Sequence, residues 1–169
     1  MDNLFHCYTT KIPSWGYLGI VSDETTLLRV DIQASREDLF FSLSKRYPFL
    51  NHTNRFKYLA ESIIELIHNP VDPVNLKYRL EGTAFQQKVW RAISRIPLGS
   101  LKTYQEIANE IGHNKAVRAV GSACGANPLP FIIPCHRVVG SGGRLGGFGL
   151  GTELKKKLLR QEGITGFLF

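Results

Sequence analysis

The sequence is poor in cysteine, and the three it has form no pair. Cys7, Cys124 and Cys135 are odd in number and widely spaced, which argues against a disulfide framework, and no Cys-x-x-Cys motif marks a zinc site. Free thiols belong in a reducing compartment, so the expected location is the cytoplasm. Long hydrophobic runs are missing too. No apolar stretch approaches the roughly 18 residues that a membrane-spanning helix needs. The opening residues, Met1 to His6, lack the basic and then apolar order of a secretory leader. What remains is 169 residues with 43% apolar and 21% charged content, enough for a packed core in one fair-sized domain or two small ones.

Acidic residues are scarce in one half only. Residues 1–81 hold nine Lys and Arg against ten Asp and Glu, whereas residues 82–169 hold twelve against four. The excess behind the net charge of +7 therefore lies in the second half. That asymmetry points to a polyanionic partner such as nucleic acid; a generic solvated basic surface is the plainer alternative.

The first part of the chain has mixed α and β patterning. Tyr17 to Val21 and Leu27 to Ile32 are short apolar or β-branched runs around Ser22-Asp23-Glu24, which predicts a hairpin. Ser35 and Asp38 open a helix with Leu39, Phe40, Leu43 and Tyr47 on its apolar face. Asn54 is placed to cap a second helix carrying Phe56, Leu59, Ala60, Ile63 and Ile67, which Asn69-Pro70 stops. His6, His52 and His68 read as surface or internally satisfied histidines. Val71 to Asn75 is the expected linker, and Leu76 to Leu80 a last strand or an extended approach to the next domain. The expected division is an α/β domain over residues 1–75 and a second domain over 82–169.

Beyond Gly82 the pattern is helical. Thr83 with Gln86 forms a capping box ahead of an apolar stripe at Phe85, Val89, Ala92, Ile93 and Ile96, followed by a turn at Pro97 to Ser100. Thr103 with Glu106 forms another, opening a short helix to Gly112. A third helix is expected from about Lys115 to Gly125, lined by Ala116, Ala119, Gly121, Ser122 and Ala123. Two short helices around a glycine-containing turn, with Lys115 and Arg118 early on the second, make a helix-turn-helix pattern. Small residues let such a helix approach a groove wall closely; tight helix–helix packing selects them equally well.

Asn127 to Val139 packs Pro128, Pro130 and Pro134 around an apolar run and sets Cys135 beside His136 and Arg137. Proline restricts the backbone, so the segment is held. Two neighbouring basic residues favour the thiolate. The plainer expectation is a buried strand over Phe131 to Ile133 ending in a packed cysteine. Seven glycines then fall between Gly140 and Gly151, either a mobile loop or a backbone-lined pocket beside Cys135. Thr152 is placed to cap a last helix, Glu153 to Glu162, with Lys155, Lys156, Lys157 and Arg160 facing phosphates or water.

Pro134-Cys135-His136-Arg137-Val138, with Gly82 to Trp90, Thr103 to Ala108, Lys115 to Gly121 and Ala126-Asn127-Pro128, resembles the O6-alkylguanine-DNA alkyltransferases (methylated-DNA–protein-cysteine methyltransferases). The motifs stand in the family's order and cover residues 82 to about 163. The resemblance implies a ribonuclease H-like α/β domain followed by a mainly helical, winged-helix-like domain with the helix-turn-helix. It implies irreversible, stoichiometric transfer of an alkyl group from O6-alkylguanine in double-stranded DNA to Cys135, with O4-alkylthymine a further candidate substrate. His136 would be the base acting through water, Glu162 its orienting carboxylate, and Tyr104 the hydroxyl that polarises the flipped base. Arg118 would enter the vacated stack, with Lys115, Ala119, Gly121 and Ser122 on the minor-groove face and Asn127 as hinge. Pro130 would form a wall of the base pocket, and backbone groups at Cys135, Val138, Phe148 and Gly149 would recognise the base. No metal, no cofactor and no obligate protein partner are expected of what would be a monomer. Gly149 stands where some relatives carry Ser or Arg, and Leu150 where bacterial members often carry Trp. Two alternatives remain. A lesion-binding module would lack the acceptor cysteine that this chain has. A helix-turn-helix regulator would use Cys135 only as a sensor.

Overall fold

In the computed structural model, which describes residues 5–72 and 75–166, the chain divides into two units. Met1–Asn69 with Pro73–Leu80 make the first, and Pro70–Asp72 with Glu81–Phe169 the second. Within the expected linker, Pro73 and Val74 lie outside the described residues. Among the described residues no helix is long and apolar enough to cross a membrane.

The first unit is a four-stranded sheet with two helices. Its strands are β1 (Phe5–Ile12), β2 (Gly16–Ser22), β3 (Leu27–Gln33) and β4 (Leu50–His52), in the order β3-β2-β1-β4. β1–β2 and β2–β3 pair antiparallel, and β1–β4 parallel. The expected hairpin is β2–β3. β1 and β4 carry no clean alternation and escape a pattern search, although β1 lies inside the sheet. Leu18 to Ser22 are buried without a break, the mark of a strand covered on both faces. Helix α1 (Arg36–Ser44) closes tightly on β2, because a Cβ on Gly19 would sit 2.8 Å from a Leu43 methyl. Helix α2 (Lys57–His68) packs on β1 and β2.

Two details of the expected helices differ. Leu39 and Leu43 on α1 are buried, as is Tyr47 just beyond its end, whereas Phe40 is 52% exposed; at 100° per residue, Phe40 falls off the stripe that Leu39 and Leu43 define. Thr53, not Asn54, provides the cap, accepting from the Arg55 N–H ahead of a 3₁₀ turn, Asn54–Phe56, that leads into α2.

The second unit is mainly helical, with α3 (Ala84–Ile93), α4 (Tyr104–Glu110), α5 (Val117–Gly125) and α6 (Thr152–Gln161). Both capping boxes form, at Thr83 with Gln86 and at Thr103 with Glu106. α5 begins at Val117, so Lys115 and Ala116 precede it. Between α4 and α5, Gly112 takes φ of +76°, and the Ala116 N–H donates to the His113 carbonyl. Trp90 is buried between helices and donates from Nε1 to the Ala123 carbonyl at 2.8 Å, fastening α3 to α5. Strands β5 (Lys102–Thr103) and β6 (Val138–Val139) pair in parallel. They tie the start of α4 to the residues that follow Cys135.

Two local expectations fail. Phe131 to Ile133 are buried but form turns and no strand, with Phe131 at φ +74°. A left-handed Phe131 breaks the extended backbone a strand requires, and the Ile133 N–H is already used by the Leu129 carbonyl. Thr152 does not cap the last helix; Gly151, at φ +94°, is the residue before it and offers no side-chain bond.

Trp90→Phe should lower unfolding stability by about 3 kcal/mol, since it removes buried volume and leaves the Ala123 carbonyl unpaired. Urea unfolding measures it, and an unchanged midpoint would contradict the fastening role.

Candidate active site

Asn127 organises the segment that carries Cys135. Its Oδ1 accepts from the Leu129 N–H at 3.0 Å, an Asx-type turn, while Nδ2 donates to the Ile133 carbonyl at 2.8 Å and to Cys135 Sγ at 3.0 Å. The backbone between them folds on itself, with the Ile133 N–H donating to Leu129 and the Cys135 N–H to Ile133. Leu129, Phe131, Ile132 and Ile133 are buried. Cys135–Arg137 then make a single 3₁₀ turn.

That turn sends three consecutive side chains to three jobs. Cys135 is 4% exposed, and burial pushes its thiol up to about 11, with Asn127 and Lys155 pulling the other way. His136 points to the end of α6, where Nε2 lies 2.9 Å from Glu162 Oε1. Burial holds the imidazole below its ordinary value, while Glu162 opposes that shift and Arg137 and Lys155 reinforce it. His136 Nδ1 is buried without a hydrogen-bond partner among the described residues. Arg137 grips Glu162, Nε donating at 3.1 and 3.0 Å and Nη2 at 2.9 Å. Burial works against the Glu162 carboxylate, but hydrogen bonds from His136 and Arg137 outweigh it and bring the group down to about 2.

The expectation that Arg137 helps ionise its neighbouring thiol is therefore wrong. Its guanidinium turns away to carboxylates, and the thiol is raised rather than lowered. Adjacency in sequence says nothing about direction on a tight turn.

The expected residues fall into two groups. Cys135, His136, Glu162 and Asn127 form two adjacent hydrogen-bonded pairs, Asn127 with Cys135 and His136 with Glu162. Tyr104, Arg118, Gly121, Ser122, Phe148 and Gly149 line one cleft of about 680 Å³, together with Val117, Gly125 and Gly147. Lys115 and Ala119 are exposed beside that lining, and Pro130 and Val138 are buried beneath the surface. The Phe148 ring meets His136 edge-on, centroids 6.3 Å apart, which joins the two groups. The glycine loop closes on its neighbours where side chains are absent. A Cβ on Gly146 would lie 2.7 Å from the Tyr104 hydroxyl, and one on Gly149 would lie 2.9 Å from the Gly125 carbonyl.

Tyr104 donates its hydroxyl to the Gly147 carbonyl at 3.2 Å. Burial, with the two nearby thiols, pushes its pKa up to about 12.

Lys155 is a further correction. Expected on a solvated face, it is fully buried, and its ammonium donates to the Val138 carbonyl at 2.6 Å and the Gly147 carbonyl at 3.1 Å. Burial lowers it to about 8. Its spacing to Leu158, Leu159 and Glu162 puts it on the apolar stripe of α6, a signal hidden by its neighbours Lys156 and Lys157. Among the described residues no group of three or more His, Cys, Asp or Glu is placed to hold a metal ion.

The 6-O-methylguanine DNA methyltransferase DNA-binding domain model matches residues 84–164. The chain is 52% identical over 159 residues to a methylated-DNA–protein-cysteine methyltransferase of Haemophilus influenzae, covering 93% of this chain and 87% of that protein. It is 48% identical over 107 residues to the bifunctional transcriptional activator/DNA repair enzyme Ada of Escherichia coli, a match over 63% of this chain and 30% of Ada's length. The Mycobacterium tuberculosis OGT structure in complex with DNA superposes with a TM-score of 0.78 at 33% identity, covering 93% of this chain and 92% of that one.

A depressed carboxylate supplies stability above its unfolded pKa and loses it as pH falls through the folded one. The stability gap between wild type and Glu162→Gln should therefore close as pH falls from 4.5 to about 2. Urea midpoints measured across that range test it; a gap independent of pH would contradict the ionised Glu162.

Proposed function

The chain belongs to the methylated-DNA–protein-cysteine methyltransferase family, and from that premise we propose that it repairs O6-alkylguanine in DNA by moving the alkyl group onto Cys135 in one irreversible turnover. The observation that carries this is the pair of buried bonds by which Asn127 holds the Cys135 sulfur and Glu162 holds the adjacent His136.

The thiol is a weak nucleophile as it stands, and the neighbouring base activates it. His136 takes the thiol proton through a water at Nδ1, the atom left without a protein partner. Glu162 stabilises the imidazolium through Nε2. The thiolate attacks the alkyl carbon, a sulfur–carbon bond forms, and the carbon–oxygen bond breaks. The electron pair passes to guanine, which takes up one proton. The Tyr104 hydroxyl polarises the base for that uptake. The alkylated sulfur has no route back, so each molecule acts once. The chemistry calls on no metal or cofactor.

Duplex DNA is the partner. The damaged nucleotide leaves the stack, at a cost of a few kcal/mol, and enters the cleft between α5 and the glycine loop. Arg118, exposed on α5 at that cleft, fills the gap left behind. Ala119, Gly121 and Ser122 let α5 lie close in the minor groove, which suits a protein that need not read sequence. Lys115 contacts phosphate. Backbone groups of Val138, Phe148 and Gly149 meet the base over Pro130. The protein works as a monomer in the cytoplasm, the first unit being a ribonuclease H-like domain and the second a winged-helix-like one.

Duplex DNA bearing O6-methylguanine should leave one methyl group on the Cys135 peptide, located by mass mapping. Cys135→Ala should accept none; methyl on another residue would refute the mechanism.

Arg118→Ala should slow repair of duplex DNA by roughly tenfold or more while changing the reaction with free alkylated base little, if Arg118 supports flipping. Equal losses on both substrates would remove that role.

A further inference from the structure

Arg137 faces a carboxylate on either side, and only one of them belongs to the relay. Nε and Nη2 hold Glu162, while Nη1 donates to both oxygens of Asp72 at 3.2 Å and to the Ile96 carbonyl at 2.7 Å. Asp72 also accepts from the Leu98 N–H. It belongs to the short stretch Pro70–Asp72, which groups with the second unit. The Arg137 side chain is 3% exposed and that of Asp72 36%.

We propose that Asp72 is a positioning residue for the proton relay, neutralising Arg137 so that the charge of Glu162 remains available to the His136 imidazolium. This rests on the relay described under the proposed function. The charges around His136 make the case. On its own turn stand the Cys135 thiol and the Arg137 guanidinium. From α6 and its C-terminal end come the Lys155 ammonium and Glu162, and from the glycine loop the uncharged Phe148 ring. Two cations thus oppose one carboxylate, and a proton moved onto His136 would make a third. A guanidinium held by Glu162 alone would cancel it. Asp72 is the second carboxylate, and it acts on His136 only through Arg137. Because part of its side chain meets water, its influence is moderated but not removed.

Asp72→Asn keeps the shape and the bond to Leu98, and Asp72→Glu keeps the charge. Two rate constants are measured between about pH 5 and pH 9: methyl transfer from O6-methylguanine duplex, and iodoacetamide modification of Cys135 without DNA, located by mass mapping. Removing a negative charge makes His136 a weaker base that stays neutral to lower pH. Asp72→Asn should therefore lower both plateau rates roughly three- to tenfold and move the acid limb down by about half to one pH unit. Asp72→Glu should restore both. Exponential rate constants are read, so a smaller folded fraction changes only amplitude. Profiles that superpose on wild type, or a slower variant with an unmoved acid limb, would overturn the proposal. Absent methyl transfer in wild type with the predicted iodoacetamide shift would sink the repair function and support the role of Asp72.

Discussion

The carboxylate of Glu162 is the fixed point of the second unit. It is nearly inaccessible to water, with a side chain 2% exposed, and it follows α6 as its cap residue, where the helix dipole disfavours negative charge. Two opposing effects are thus overcome by His136 and Arg137 together. The donors come from one 3₁₀ turn, so the same bonds that keep Glu162 ionised also set the turn that presents Cys135. Breaking one partner of such a buried group leaves the other uncompensated, which is why the arrangement behaves as a unit.

For Cys135 as the proposed acceptor, the consequence is storage without reactivity. With burial pushing the thiol up to about 11, little thiolate is present at neutral pH. A group spent once gains from being inert until needed, because a standing thiolate would be lost to oxidants. Asn127 donates to the sulfur and so favours its charged form, and the buried Lys155 ammonium does the same from α6. The ionised state is prepared for but not populated. Neutral His136, held low by burial, is the form that can take a proton.

Much of this was legible in the sequence, and the gaps have physical causes. The capping boxes at Thr83 and Thr103 form because each needs only residues three apart. The apolar stripes of α2 and α3 appear because 3.6-residue spacing is local. The central strand β1 was missed because its burial depends on neighbours distant in the chain. Motif resemblance named Cys135, His136, Asn127 and Glu162, but their directions were illegible. The sequence puts Arg137 beside the thiol, and the turn points it away. Lys155 sits in a run of three lysines that reads as a face turned to phosphates or water, though its position on the apolar stripe with Leu158 and Leu159 marks it as buried. Asp72 lies 65 residues from Arg137, and no local pattern joins them.

The cleft depends on missing side chains as much as on those present. Gly146 lies against the Tyr104 hydroxyl and Gly149 against the Gly125 carbonyl, each too close for a Cβ. Gly146, at φ +70°, is barred twice, by space and by backbone conformation. The loop so placed delivers its Gly147 carbonyl to two donors, Tyr104 and Lys155. Lys155 also holds the Val138 carbonyl, three residues past Cys135. One buried ammonium therefore joins the wall of the cleft to the strand behind the nucleophile. Loop, hydroxyl and thiol are positioned through the same cation, so a change that shifts the glycine loop reaches Cys135 without touching it.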